Sequence, residues 1–104
     1  MAAYRLTPDA FDDIDAIWSF ISLDNPEAAY SVEEEIAAAC AWLAEGPLRG
    51  HFRRDLTKLP VRFWTLPRYP SYIIVYRPET RPLEIIRVLH GMRDVNRILR
   101  GLGS

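Results

Sequence analysis

A single cysteine and two histidines stand among the 104 residues, and Lys58 is the only lysine. With only Cys40, no disulfide can form inside the chain, and a cytoplasmic setting is expected. Two histidines and one cysteine cannot build a zinc site without carboxylate help, so no metal or other cofactor is expected. The five glycines form no phosphate-cradling repeat, and no serine sits in a nucleophile elbow. Long hydrophobic runs are missing too. Stretches such as residues 72–76 fall far short of the roughly 20 residues that cross a bilayer. The opening MAAYRLTPDAF has no basic stretch followed by an apolar one, so neither a signal peptide nor a membrane partner is expected.

What is present is a globular composition, 49% apolar and 26% charged. It suits one domain spanning 1–104 with a modest core. The net charge of -1 conceals a division. Residues 1–48 carry Arg5 against ten acids, a net of -9, and residues 49–104 carry eleven arginines and Lys58 against four acids, a net of +8. This split predicts either an acidic face and a basic face, the basic one open to phosphate or acidic protein, or two halves that neutralise each other across the fold.

The run from Ala3 to Leu6 reads as a strand. Thr7 is placed to cap the helix that follows, with Pro8 in its first turn. Phe11, Ile14, Ile17, Trp18 and Ile21 recur at helical spacing, and Asp9, Asp12, Asp13 and Asp15 fill a solvated side. The sequence Asp24-Asn25-Pro26-Glu27 ends this helix and starts another. The second helix keeps Val32, Ile36, Ala39 or Cys40, and Leu43 on one face and stops at Gly46-Pro47. So short a link demands an antiparallel hairpin. Residues 46–60, basic and without a period, read as an exposed loop. Then the period becomes that of strands: 61–66 alternates, 72–76 is continuously apolar, and 83–89 is a third run. Proline-containing turns between them predict an antiparallel meander. Gly91 closes the last strand, and Asp94 is placed to cap a short helix containing Val95, Ile98 and Leu99.

The fold class is therefore α+β: an N-terminal strand, an antiparallel helix hairpin packed on a small antiparallel sheet, and a short C-terminal helix. The hairpin covers one face of the sheet and leaves the other partly open. Cys40, Trp18 and Trp42 read as packed core.

The chemistry-bearing residues are the arginines Arg49, Arg53, Arg54, Arg62, Arg68, Arg87 and Arg93, with His51, His90, Trp64, Tyr69 and Tyr72. Guanidinium forks suit phosphate and carboxylate. Alternation puts Arg62, Trp64 and Leu66 on one face of their strand, where they either stack and neutralise a ligand or pack beneath a helix. His90, at a strand end between Arg87 and Arg93, is either a general acid or base near neutral pH or a structural bond to the turn.

Four blocks in order, YRLTPDAFDDIDAIWSFI, DNPEAA, VRFWTLPRYPSYIIVYRP and EIIRVLHGMRD, resemble the RelE/ParE superfamily of bacterial type II toxin-antitoxin toxins over nearly the whole chain. The superfamily's helical hairpin on an antiparallel sheet agrees with the fold read above. The resemblance implies a cognate antitoxin, a hetero-oligomer with it, and one of two targets. ParE-like toxins inhibit DNA gyrase without catalysis, whereas RelE-like toxins cleave messenger RNA on the ribosome. The nuclease pattern would assign Arg62 and His90 or Arg93 as catalytic. However, VNRILRGLGS after Asp94 holds no tyrosine, and Arg53 and Arg54 stand where nucleases tend to place lysines. The ParE-like branch therefore fits better, with Arg53, Arg54, Arg62, Trp64, Arg87, His90 and Arg93 as target-binding candidates. A toxin-like chain that has lost activity and only binds antitoxin is a third reading.

Overall fold

A computed structural model describes residues 3–91 and Asp94. Strand β1 (Tyr4–Leu6) leads into helix α1 (Pro8–Ser22) and helix α2 (Pro26–Glu45). Strands β2 (Arg62–Thr65), β3 (Tyr72–Arg77) and β4 (Leu83–His90) follow. Both helices start as their sequences dictate. The Thr7 side chain accepts the Ala10 amide and Asn25 accepts the Ala28 amide, each at 3.1 Å with proline just inside. No described helix is long and apolar enough to cross a membrane.

The sheet order is β1-β4-β3-β2. The three later strands form the expected antiparallel meander. β1 differs: it lies parallel to β4, with Tyr4 opposite Leu83 and Leu6 opposite Ile85, so the sheet is mixed. Parallel neighbours need a long crossover, and both helices, the 46–61 segment and the β2–β3 hairpin lie between β1 and β4. The proposed helix beyond Asp94 and Arg93 itself lie outside the described residues.

Two apolar layers enclose the sheet. Beneath the helices, Ala10, Val32, Ile36, Cys40 and Leu43 meet Leu66, Ile74, Tyr76, Ile85 and Val88. Burial pushes the Cys40 thiol up to about 12. On the opposite face Val61, Phe63, Ile73, Val75, Ile86 and Leu89 form a second cluster, closed by Leu56 and Leu59. That face is not partly open as expected, and residues 46–60 are not simply an exposed loop. Two leucines among charged residues are enough to fold the segment over the sheet and remove apolar surface from water.

The helices are less buried than their patterns predict. Ala10 is the one fully buried residue of α1, and Phe11 is 62% exposed. Trp18 is half-buried, edge-on to Tyr30 at 5.6 Å. Trp42 is a surface residue, 40% exposed, because it rests on the half-buried indole of Trp64 and not in the sheet interior.

Candidate target-binding surface

The candidate residues occupy two places. The first is the end of β4. Val75 pairs with Arg87 and Tyr76 with Ile85, which leaves Ile86 as the extra residue of a bulge. β1 stops opposite Ile85, and the exposed backbone of β4 is then taken over by α1 and its cap. The Thr7 hydroxyl donates to the Ile86 carbonyl at 2.8 Å. Asp13 accepts the Val88 amide at 3.0 Å and both Arg87 donors, Nε at 2.7 Å and Nη2 at 2.8 Å. Asp13 is thus no solvated acid; it docks α1 to the sheet. The hydrogen bonds to Asp13 raise the proton affinity of Arg87, and the charges of Asp13 and Asp9 add to this. His90 is exposed and stacks on Tyr72, with centroids 5.0 Å apart at 29°. Both line a cleft of about 280 Å³ with Phe20, Arg87 and Asp94.

The second place is the outer edge of β2 and the chain that crosses it. His51 and Phe63 exchange both backbone hydrogen bonds, at 2.9 and 2.8 Å. Arg62 Nη1 donates to the Gly50 carbonyl at 2.7 Å, and Phe52 lies against its guanidinium at 4.1 Å. Arg54 shares Phe52 from 5.2 Å. Arg49 sits over Trp42 at 4.5 Å, Trp42 meets Trp64 at 4.7 Å, and His51 lies parallel to Trp64 at 6.2 Å. Arg53 is forked onto Asp55, which raises the guanidinium and lowers the carboxyl through their hydrogen bonds.

These two places do not converge. Arg62 stands opposite Tyr76 and His90 opposite Tyr72, at different ends of β3 and two strands apart. Strand geometry separates their backbones by on the order of 16 Å. Among the described residues no three His, Cys, Asp or Glu side chains are grouped as metal ligands would be. The charge halves meet in part: Arg87 pairs with Asp13, Arg68 with Glu35 and Arg5 with Glu84, while Arg77 pairs with Glu84 within the second half. Arg49, Arg54 and Arg62 have no carboxylate partner among the described residues, and they cluster.

Sequence reasoning missed Phe52, Asp13 and Tyr76. Phe52 had a signal, an aromatic side chain beside two arginines in a segment otherwise read as loop. Tyr76 had another, the phenol ending an interior apolar run, whose hydroxyl must find a partner when buried.

A family model described as ParE toxin of type II toxin-antitoxin system, parDE, matches residues 4–95. The chain belongs to the ParE toxin family. The span matched to ParE takes in every described strand, both helices and all the site residues named above. Ten chains of known structure match this ParE chain. One, from the chromosomal ParDE TA system of P. aeruginosa, is 26% identical with a TM-score of 0.69, covering 88% of this chain and 97% of its own. No curated protein matches.

Proposed function

We propose that this ParE-family chain is the toxin of a type II pair, held inactive in a hetero-oligomer with its cognate antitoxin, and that it inhibits DNA gyrase by binding and not by catalysis. The observation that carries the non-catalytic reading is the separation of Arg62 from His90. Moving protons and neutralising a phosphate at one scissile bond needs both groups within hydrogen-bond reach of it. Arg87, engaged by Asp13, adds no unpaired cation to the His90 end. The surface offered to gyrase is then the β2 corner, with Arg53, Arg54 and Trp64, together with the rim at His90; Arg93, three residues further along the sequence, stays a target-binding candidate by position in the chain alone.

The antitoxin has a separate place to bind. A groove of about 240 Å³ between β1 and both helices is lined by Tyr4, Leu6, Phe11, Ile14, Ile36 and Cys40. Its exposed Phe11 is the kind of aromatic anchor that an antitoxin's apolar side chains would cover.

Purified chain added to gyrase should inhibit supercoiling, and antitoxin should restore it. No inhibition at concentrations that kill cells, together with messenger cuts in the A-site codon by primer extension, would replace gyrase by the ribosome. Harmless overexpression would leave only the antitoxin-binding reading.

A further inference from the structure

Residues 47–51 are fastened to the sheet by two side chains in addition to the backbone pair of His51 with Phe63. Tyr76, with none of its surface exposed, donates its hydroxyl to the Pro47 carbonyl at 2.6 Å and accepts the Gly50 amide at 2.9 Å. Arg62, the residue paired with Tyr76 across the strands, donates from Nη1 to Gly50 at 2.7 Å and to Leu48 at 3.3 Å. The two side chains therefore hold the amide and the carbonyl of Gly50, together with the Pro47 and Leu48 carbonyls, from a single cross-strand position. The approach is close enough to exclude a side chain. A Cβ on Gly50 would lie 2.5 Å from the Tyr76 hydroxyl and 3.0 Å from the Phe63 carbonyl. Arg62 also buries its Nε without an acceptor. A cation that served only to attract an incoming partner would leave that donor in water.

We propose that Arg62 is a positioning residue. With Tyr76 it latches residues 47–51 to β2, and so holds Arg49, Phe52 and Arg54 as a fixed cationic and aromatic surface for the toxin's target, without meeting that target itself. The functional half of this statement rests on the toxin reading above; the latch does not. Fixing a loop before binding removes the ordering cost that a flexible one would meet at the interface.

The test measures amide exchange at His51 in the purified chain and killing on induction, as loss of colony-forming units. Tyr76→Phe deletes one hydroxyl and no charge. It should nevertheless speed exchange at His51 about tenfold and cut killing by a similar factor. Arg62→Ala should do both, and Arg62→Lys should side with it, because an ammonium ends one bond short of the Nη1 that meets both carbonyls and cannot lie flat on Phe52 as the guanidinium does. Arg54→Ala should leave exchange at His51 unchanged. Exchange indifferent to Tyr76→Phe and Arg62→Ala overturns the latch. Killing that survives a loosened segment, or is restored by Arg62→Lys while exchange stays fast, overturns the positioning role. If Arg62→Ala does not fold, Tyr76→Phe decides alone. If the wild-type chain does not kill, the toxin reading fails and the exchange result still judges the latch.

Discussion

Asp13 accepts three hydrogen bonds, two from Arg87 and one from the Val88 amide, and is the acceptor that all three donors share among the described residues. Both side chains of the pair are mostly shielded, so removing the carboxylate strands a cation and a backbone donor together. Asp13→Ala should therefore lower unfolding free energy by about 2–3 kcal/mol in urea titration, with Asp13→Asn in between. A loss near zero would mean that water replaces the acid. Cys40 supplies a second expectation at this scale. Its folded-state value, about 12, lies above the 9.0 of an exposed thiol. Its contribution to stability is thus complete below about pH 9 and is lost as pH rises toward 12. Melting temperature should fall across that window, and Cys40→Ala should remove part of the fall. Tyr4 and Tyr76, also raised by burial, keep some of the slope. Asp13 shows what a sequence conceals. Four aspartates in one helix look alike, and only the place where β1 ends selects which of them meets the sheet.

At the scale of elements, both helix starts could be read from Thr7-Pro8 and Asn25-Pro26, but the two caps are not equivalent. Asn25 accepts one amide at the surface, whereas Thr7 also donates to Ile86 and so joins α1 to β4. Thr7→Ala should cost about 1–2 kcal/mol and Asn25→Ala about 0.5–1 kcal/mol, measured by thermal unfolding. Equal losses would show that the Ile86 contact contributes nothing. The meander was equally legible, because alternation and proline turns are local signals. The parallel docking of β1 and the folding-over of residues 52–60 were not. Each depends on partners far along the chain, and Leu56 and Leu59 carry no period of their own.

For the whole molecule, the charge division left two outcomes open, a basic face or halves that neutralise each other, and each holds in part: of four arginines of the +8 half that meet acids, Arg87 and Arg68 meet those of the helices, and Arg53 and Arg77 those of their own half. Net charge cannot say which pairs will form, only that enough opposite charge exists for them. What survives among the described residues as an uncompensated cluster is one corner, built from Arg49, Arg54 and Arg62. If an acidic segment of the target is drawn in by that corner, raising salt from about 50 to about 500 mM should slow association of the chain with gyrase roughly tenfold in stopped-flow mixing, with dissociation little changed. A salt-independent rate would remove electrostatics from the encounter. The pairing of β1 with β4 sets a timetable as well. Arg5 and Glu84, neighbours across that ladder, are 79 positions apart. At about 5–20 residues per second, a nascent chain holds its first strand unpaired for about 4–16 s before the partner is even synthesised. The sheet cannot close on the growing polypeptide, which leaves a neighbouring protein made earlier several seconds to be waiting when it does.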